Sequence, residues 1–206
     1  MTYGKPHIGE TIDNTDLFES DQRYRSAHFH DDDYSHLEIS NTEWNQCVIE
    51  NMTLSQTHFD NCYFIDVLFK NCDLSNAHFN KSLLRRVSFS HCKIMGSDFV
   101  EDMMELVNFE NVLGHYANFS SLHNKGLSFL SCDLSNGYFT SCEMKKTTFE
   151  DTKLLACEFL GSPLRDIDLS SDVITGIRIN PQDIAGATID EWQAIDIVGL
   201  LRIKIK

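Results

Sequence analysis

Seven cysteines, nine histidines and 31 acidic side chains are the groups in this 206-residue chain that could do chemistry. Thiols spaced Cys-x-x-Cys would hold zinc or exchange a disulfide, but no such pair occurs and the number of cysteines is odd. Imidazoles and carboxylates would bind a transition metal if they converged. Glu38, His58, His78 and Asp98 recur twenty residues apart, and His28, His30 and Asp31 make a second cluster. Asp102 and His123 offer an acid-base pair. No Gly-rich phosphate loop, Gly-x-Ser-x-Gly elbow or His-Glu-x-x-His helix is present. The cysteines carry a different message in their spacing. Cys47, Cys62, Cys72, Cys92, Cys132, Cys142 and Cys157 share one remainder on division by five, which chance gives once in ~15,000 arrangements.

The elements that position these residues must therefore repeat every five. Thirteen of the fourteen phenylalanines lie two places after the cysteine class, from Phe29 and Phe59 to Phe149 and Phe159; only Phe18 is out of register. Between Phe29 and Ile184 there are 32 such central positions, and 30 are bulky and apolar, Gly114 and Asn124 being the exceptions. Composition alone would give about 13. A small residue stands two places before each centre, as in Ala27, Cys47, Val67 and Ser97, and the other positions are polar. Neither the helical period of 3.6 nor the strand period of 2 fits, so the chain must turn every five residues. Taken modulo twenty, the centres form four columns. Two are rich in phenylalanine, one containing Phe29 and Phe69 and the other Phe59 and Phe79. Two are mainly aliphatic, one beginning at Tyr34 and the other at Trp44. A four-sided coil of twenty residues stacks like on like, with the phenylalanine columns opposed.

A central Leu or Phe, with Ala, Cys, Val or Ser two before it and Asp, Asn or Ser around it, resembles the pentapeptide-repeat pattern, and here it runs from Ala27 to about Gly186. The resemblance implies an all-β solenoid, a right-handed quadrilateral parallel β-helix. Residues 27–186 make about eight coils, a rod of roughly 38 Å at the usual strand spacing. Residues 1–26, with Ile12, Leu17 and Phe18 as a weak pattern, are expected to be an N-terminal extension or cap. Residues 187–206 are expected to cap the other end and to dimerise. There Thr188 and Glu191 stand as a capping box, Trp192, Ile195, Val198 and Leu201 recur at helical spacing, and Arg202 to Lys206 alternate like an edge strand or tail. This ending resembles that of Qnr-type quinolone-resistance pentapeptide proteins, which dimerise tail to tail there.

Within such a coil the reactive groups lose their chemistry. Each cysteine fills the small inward slot, reduced and inert. Ligands stacked in parallel along a straight face do not converge on one ion, and neither pocket nor nucleophile accompanies Asp102 and His123. The expectation is a binding protein with no catalytic residues, cofactor or metal.

The formal charge of -14 disfavours nucleic acid as a partner and favours a basic protein surface. Outward positions sum to -5 around the Phe29 column, -3 around the Phe59 column, -1 around the Tyr34 column and zero around the Trp44 column. Asp32, Asp102 and Asp172 fall in inward slots. Duplex DNA of the same length carries roughly twice the charge of the rod, at one phosphate per ~1.7 Å of axis. Some members of the resembled family imitate B-DNA and occupy the DNA-binding saddle of type II topoisomerases. The resemblance thus implies an acidic rod that binds DNA gyrase or topoisomerase IV and lowers quinolone susceptibility. A structural or adaptor rod with another basic partner is the alternative.

The candidate partner residues are Glu50, Asp98, Glu101, Met103, Glu105, Leu106, Glu110, Tyr116, His123, Glu150 and Asp151. Of these, 101–126 is the stretch of weakest repeats, with Met103, Leu106, Leu113 and Tyr116 apolar at outward positions. Related topoisomerase-protecting proteins carry loops that interrupt the rod, but here the register never slips. The first nine residues hold no apolar stretch typical of a signal peptide and nowhere do 18 apolar residues run together, so a cytoplasmic location is expected, with no membrane contact.

Overall fold

In the computed structural model, residues 4–15 and 18–200 are described. Leu17, Leu201 and the alternating stretch 202–206 lie outside them. The chain forms a parallel β-solenoid whose strands pair twenty residues apart. Tyr63–Lys70 aligns with Leu83–Ser90 from Leu83 opposite Tyr63 to Ser90 opposite Lys70, bending across one corner. The Phe59 side carries the sheet Glu38–Ser40, His58–Asp60, His78–Asn80. The Tyr34 side is held by single bridges from Asp33 through Thr53 and Lys93 to Val173. The regular ladders make about six turns. This corrects the eight coils expected, because beyond Glu150 the sides are joined by isolated bridges instead of strands.

The five-residue period has a conformational cause. Every residue with positive φ among those described, from Asp21 to Gly186, lies two places after a central position. Nearly every repeat thus turns its corner through the left-handed region, where Gly, Asn and Asp are least penalised. Asn supplies many of these corners and also ties them together. Asn61 Nδ2 donates to Asn41 Oδ1 at 2.8 Å, and Asn51 Nδ2 to Asp31 Oδ1 at 2.9 Å, each one coil apart.

The centres point inward as two opposed ring stacks. Phe69 and Phe89 are parallel within 4° at 4.8 Å, while Phe89 meets Phe99 of the opposite column edge-on at 6.1 Å. The small slot saturates backbone carbonyls 23 residues back. Thr57 Oγ1 donates to Tyr34 O, Ser97 Oγ to Leu74 O and Cys72 Sγ to Ile49 O. The cysteines are therefore buried hydrogen-bonding fillers, all free, as the spacing implied. Burial pushes the Cys62, Cys132 and Cys157 thiols up to about 12.

Two irregular centres resolve differently. Gly114 is buried because Ile94 and Leu134 lean into its place; an added Cβ would meet them at 2.8–3.2 Å. Asn124 instead donates to Glu143 O, and the ladder on the Trp44 side ends there. No loop projects between 101 and 126; strands Met103–Glu105, Val107–Glu110 and His123–Asn124 keep the ladder. The ladder is thus undisturbed at Gly114 and is interrupted half a coil later, at Asn124.

The ends depart furthest from expectation. The repeat starts before Ala27: Arg23–Arg25 pairs with Glu43–Asn45, placing Tyr24 beneath Trp44. Phe18 closes that end of the core, in ring contact with Phe29, Tyr34 and Trp44. The preceding residues do not cap it. They run lengthwise along the corner between the Trp44 and Phe29 sides: Ile12 pairs with Ala27, His7 N donates to Asp66 Oδ1 at 2.9 Å, and Asn108 Nδ2 to Gly4 O.

At the other end come a short turn of helix, α1 (Pro181–Ile184), and then α2 (Gln193–Leu200). Its capping box is Asp190 with Gln193, each side chain accepting the other's backbone N–H at 2.8 Å, not Thr188 with Glu191. Thr188 is still in the solenoid, bridged to Asp168. Asp32, at the exposed first coil, is not inward.

Candidate partner-binding surface

The coil distributes the sequence-selected residues over all four sides. Glu50, Glu110, Glu150 and Asp151 line the Phe29 side, Asp98 and Glu101 the Phe59 side, and Met103, Glu105, Leu106 and His123 the Trp44 side. Tyr116 sits at a corner of the Tyr34 side, across the rod from Met103. No single flat partner touches all of them.

Their charges are not equally available. Glu50 accepts from Lys70 Nζ at 2.8 Å, which with His28 holds its carboxyl below the usual range. Glu105 accepts from Arg85 Nε at 3.0 Å. Asp98 lies 3.9 Å from His78 Nδ1. Glu101 and Glu110 are exposed, and no cation pairs with either among the described residues. Ion pairs one coil apart recur elsewhere, as in Lys93 with Asp73 and Arg178 with Glu158. Such ladders neutralise part of the acidic surface without converging it on a pocket.

Two acidic residues contribute less than their formal charge. Asp102 and Asp172 occupy the small slot, where Oδ1 accepts the backbone N–H of Ser82 and Thr152, both at 2.8 Å. Each Oδ2 is buried without a partner. Burial pushes Asp102 up to about 8 and Asp172 up to about 7, so near neutral pH Asp102 is mostly protonated and Asp172 about half so. His123 backs onto the Asp102 coil only through its backbone, its N–H donating to Asp102 O at 3.2 Å.

One feature escaped the sequence reading. Met95, Leu113, Tyr116, Leu155 and Val173 are exposed large apolar side chains, and all belong to the Tyr34 side. Sorting outward positions by side for hydrophobicity, as was done for charge, would have found them. This apolar stripe lies between the Phe29 and Phe59 sides, the two that carry the acidic surplus. Small surface hollows exist on the Phe59 side, lined by Asp60, Lys81, Asp98 and Glu101, and on the Trp44 side near Met144, Lys145 and Arg165.

A model of the pentapeptide repeat region matches residues 64–139, and a model of the SV2A/B/C luminal domain matches residues 9–89. The chain thus carries a pentapeptide-repeat region, and its five-residue register and four-sided coil extend beyond the matched residues. Similar solved structures include a trypsin-treated form of QnrB1, a plasmid-mediated fluoroquinolone resistance protein. It is 18% identical, with 91% of this chain and 99% of that one covered and a TM-score of 0.48. Another is HetL, involved in heterocyst differentiation regulation in the cyanobacterium Nostoc, with 11% identity, coverage of 86% and 93%, and a TM-score of 0.34. A thylakoid-lumen pentapeptide repeat protein of Arabidopsis thaliana is 22% identical over 48% of this chain and 66% of that one, with a TM-score of 0.35. No curated protein matches the chain by sequence. No described helix is long and apolar enough to cross a membrane.

Proposed function

We propose that the rod is a binding protein for the basic, DNA-contacting surface of a type II topoisomerase, DNA gyrase or topoisomerase IV, and that its binding reduces quinolone action. The observation that carries this reading is the apolar stripe of the Tyr34 side, bordered along both edges by acidic sides. That is the anatomy of an interface, an apolar strip for close contact within a charged rim that steers and orients. The rim charge is spread at a spacing of about one coil along a straight rod, as phosphates are spread along a duplex. Glu110 supplies unneutralised rim charge beside the stripe, and Leu113 and Tyr116 the contact strip.

The C-terminal helix completes the reading. Ile197 and Leu200 pack on the core, while Trp192 and Ile195 are 74% and 62% exposed. A second copy docking helix to helix covers them, with Val198 half-buried beside them and Leu201 beyond the described residues. Such a homodimer doubles the length of the acidic rod. The cytoplasm, where the enzyme is found, is the compartment this reading requires.

The test is gyrase supercoiling with ciprofloxacin at micromolar rod. Rescue or inhibition that weakens with added salt, and weakens further in Leu113→Glu, supports the proposal; no effect on the enzyme at any salt overturns it. The unbroken register between 101 and 126 favours a second reading, an adaptor rod for another basic protein, since nothing projects to engage an enzyme cleft. A pull-down enriched in such a partner but lacking gyrase subunits would select it.

A further inference from the structure

The N-terminal segment brings together three groups that the sequence holds apart. Ile12 and Asp13 pair alongside Ala27 and His28, a contact between stretches fifteen residues apart that breaks the twenty-residue rule. Asp13 Oδ1 thereby comes to 3.3 Å from His28 Nδ1 and 3.7 Å from His30 Nε2, and the three donor atoms all lie within 4.8 Å of one another. Ligands about 2.1 Å from a tetrahedral ion are about 3.4 Å apart, so the two shorter distances already match and the third needs a small closure.

One imidazole is also oriented from behind, His30 Nδ1 lying 2.9 Å from Asp31 Oδ2. His28 Nε2 is 3.3 Å from Glu50 Oε2, near enough to pair in charge but without hydrogen-bond geometry. Those carboxylates are themselves fixed, Asp31 by Asn51 Nδ2 and Glu50 by Lys70 Nζ. A carboxylate on the far nitrogen selects the tautomer that leaves the near nitrogen as a lone-pair donor, the usual supporting arrangement of a metal-bound histidine. The two near nitrogens, Nδ1 of His28 and Nε2 of His30, both face Asp13.

We propose that Asp13, His28 and His30 form a binding site for one divalent transition ion that favours imidazole, zinc foremost, with water completing the shell. The expectation of no metal rested on ligands stacked in parallel along one side, whereas Asp13 reaches the histidines from outside the repeat. Bound metal would pin the lengthwise N-terminal segment to the first coil, whatever the acidic rod engages elsewhere.

Zinc titrated calorimetrically into the full, chelator-stripped chain at neutral pH should bind at one equivalent. Cobalt(II) should give a visible spectrum of nitrogen and oxygen ligation without a thiolate charge-transfer band. His30→Ala and Asp13→Asn should each weaken binding at least tenfold, Asp31→Asn should weaken it by about 10-fold or more, and His78→Ala, on another side, should leave it unchanged. Zinc should also slow hydrogen exchange at the Ile12 and Asn14 amides, which donate to Ser26 O and His28 O. Absence of one-equivalent binding at about 100 micromolar zinc, binding that survives both ligand variants, or a thiolate band would overturn the proposal.

Discussion

The two ends of the rod close the same core by opposite means. At the N-terminal end a ring out of register, Phe18, drops onto Phe29, Tyr34 and Trp44. At the C-terminal end the plug is polar: Gln193 Nε2 donates to both Leu169 O and Asp172 O at 2.7 Å, completing the last coil's hydrogen bonds before α2 lies across it. The aromatic plug buries its own surface entirely, while the helical one leaves Trp192 and Ile195 in solvent. A solenoid end has both apolar surface and open backbone groups to satisfy, and here each end answers one demand first.

The largest way to break that contrast is Phe18→Ala. It removes a ring with 2% exposure from among four others and should cost about 3–5 kcal/mol, read as a fall in chemical-denaturation midpoint. Gln193→Ala leaves two carbonyls unpaired at a more open site and should cost about 1–3 kcal/mol. Equal losses at the two ends would show that the plugs do the same work.

Acidity distinguishes the ends further, because Asp172 stands beside the polar plug and, among the described residues, no comparable inward acid stands at the N-terminal end. Its carboxyl is raised to about 7 from an ordinary value near 3.8 by burial. The folded chain therefore holds this proton more tightly than the unfolded one. The resulting stability is complete below about pH 4 and is lost as pH rises through about 7, by at most about 4 kcal/mol. Asp172→Asn should flatten this loss, since an amide accepts from Thr152 N–H with its oxygen and donates with its nitrogen. Stability measured from pH 4 to pH 9 should slope downward in the parent and less in the variant; parallel profiles would mean that Asp172 is ionised in place.

How far the sequence disclosed these features follows from what a period can encode. Each repeat is the same local event, a corner in the left-handed region between two inward residues, so Phe69, Cys72 and Asn71 declare the sides, the slots and the corners before any coordinates. Tyr24 was legible by the same arithmetic and was overlooked because Phe18 so near it breaks the register. What a period cannot encode is contact between repeat and non-repeat. The approach of Asp13 to His28, the backbone of His7 on Asp66 and Gln193 on Leu169 depend on where free chain lies down. The apolar stripe was an intermediate case, present in the residues but hidden until they were sorted by side.

The smallest effect on the protomer tests the C-terminal helix. Ile195 on α2 and Trp192 in the turn just before it are exposed, whereas Ile197 and Leu200 hold the helix in place. Replacing both exposed residues by serine should change protomer stability by no more than about 0.5 kcal/mol, the ordinary range for surface positions. If a second copy covers them, the same double variant should convert a dimer to a monomer in analytical ultracentrifugation and shorten the acidic rod by half. An unchanged dimer would place the interface elsewhere, and a monomeric parent would leave the exposed face for a partner instead. The corresponding change at the aromatic end has no such separation: Phe18 cannot be altered without loosening the core. The end closed by hydrogen bonds is the one free to carry an interface, because its closure and its exposed face reside on different residues.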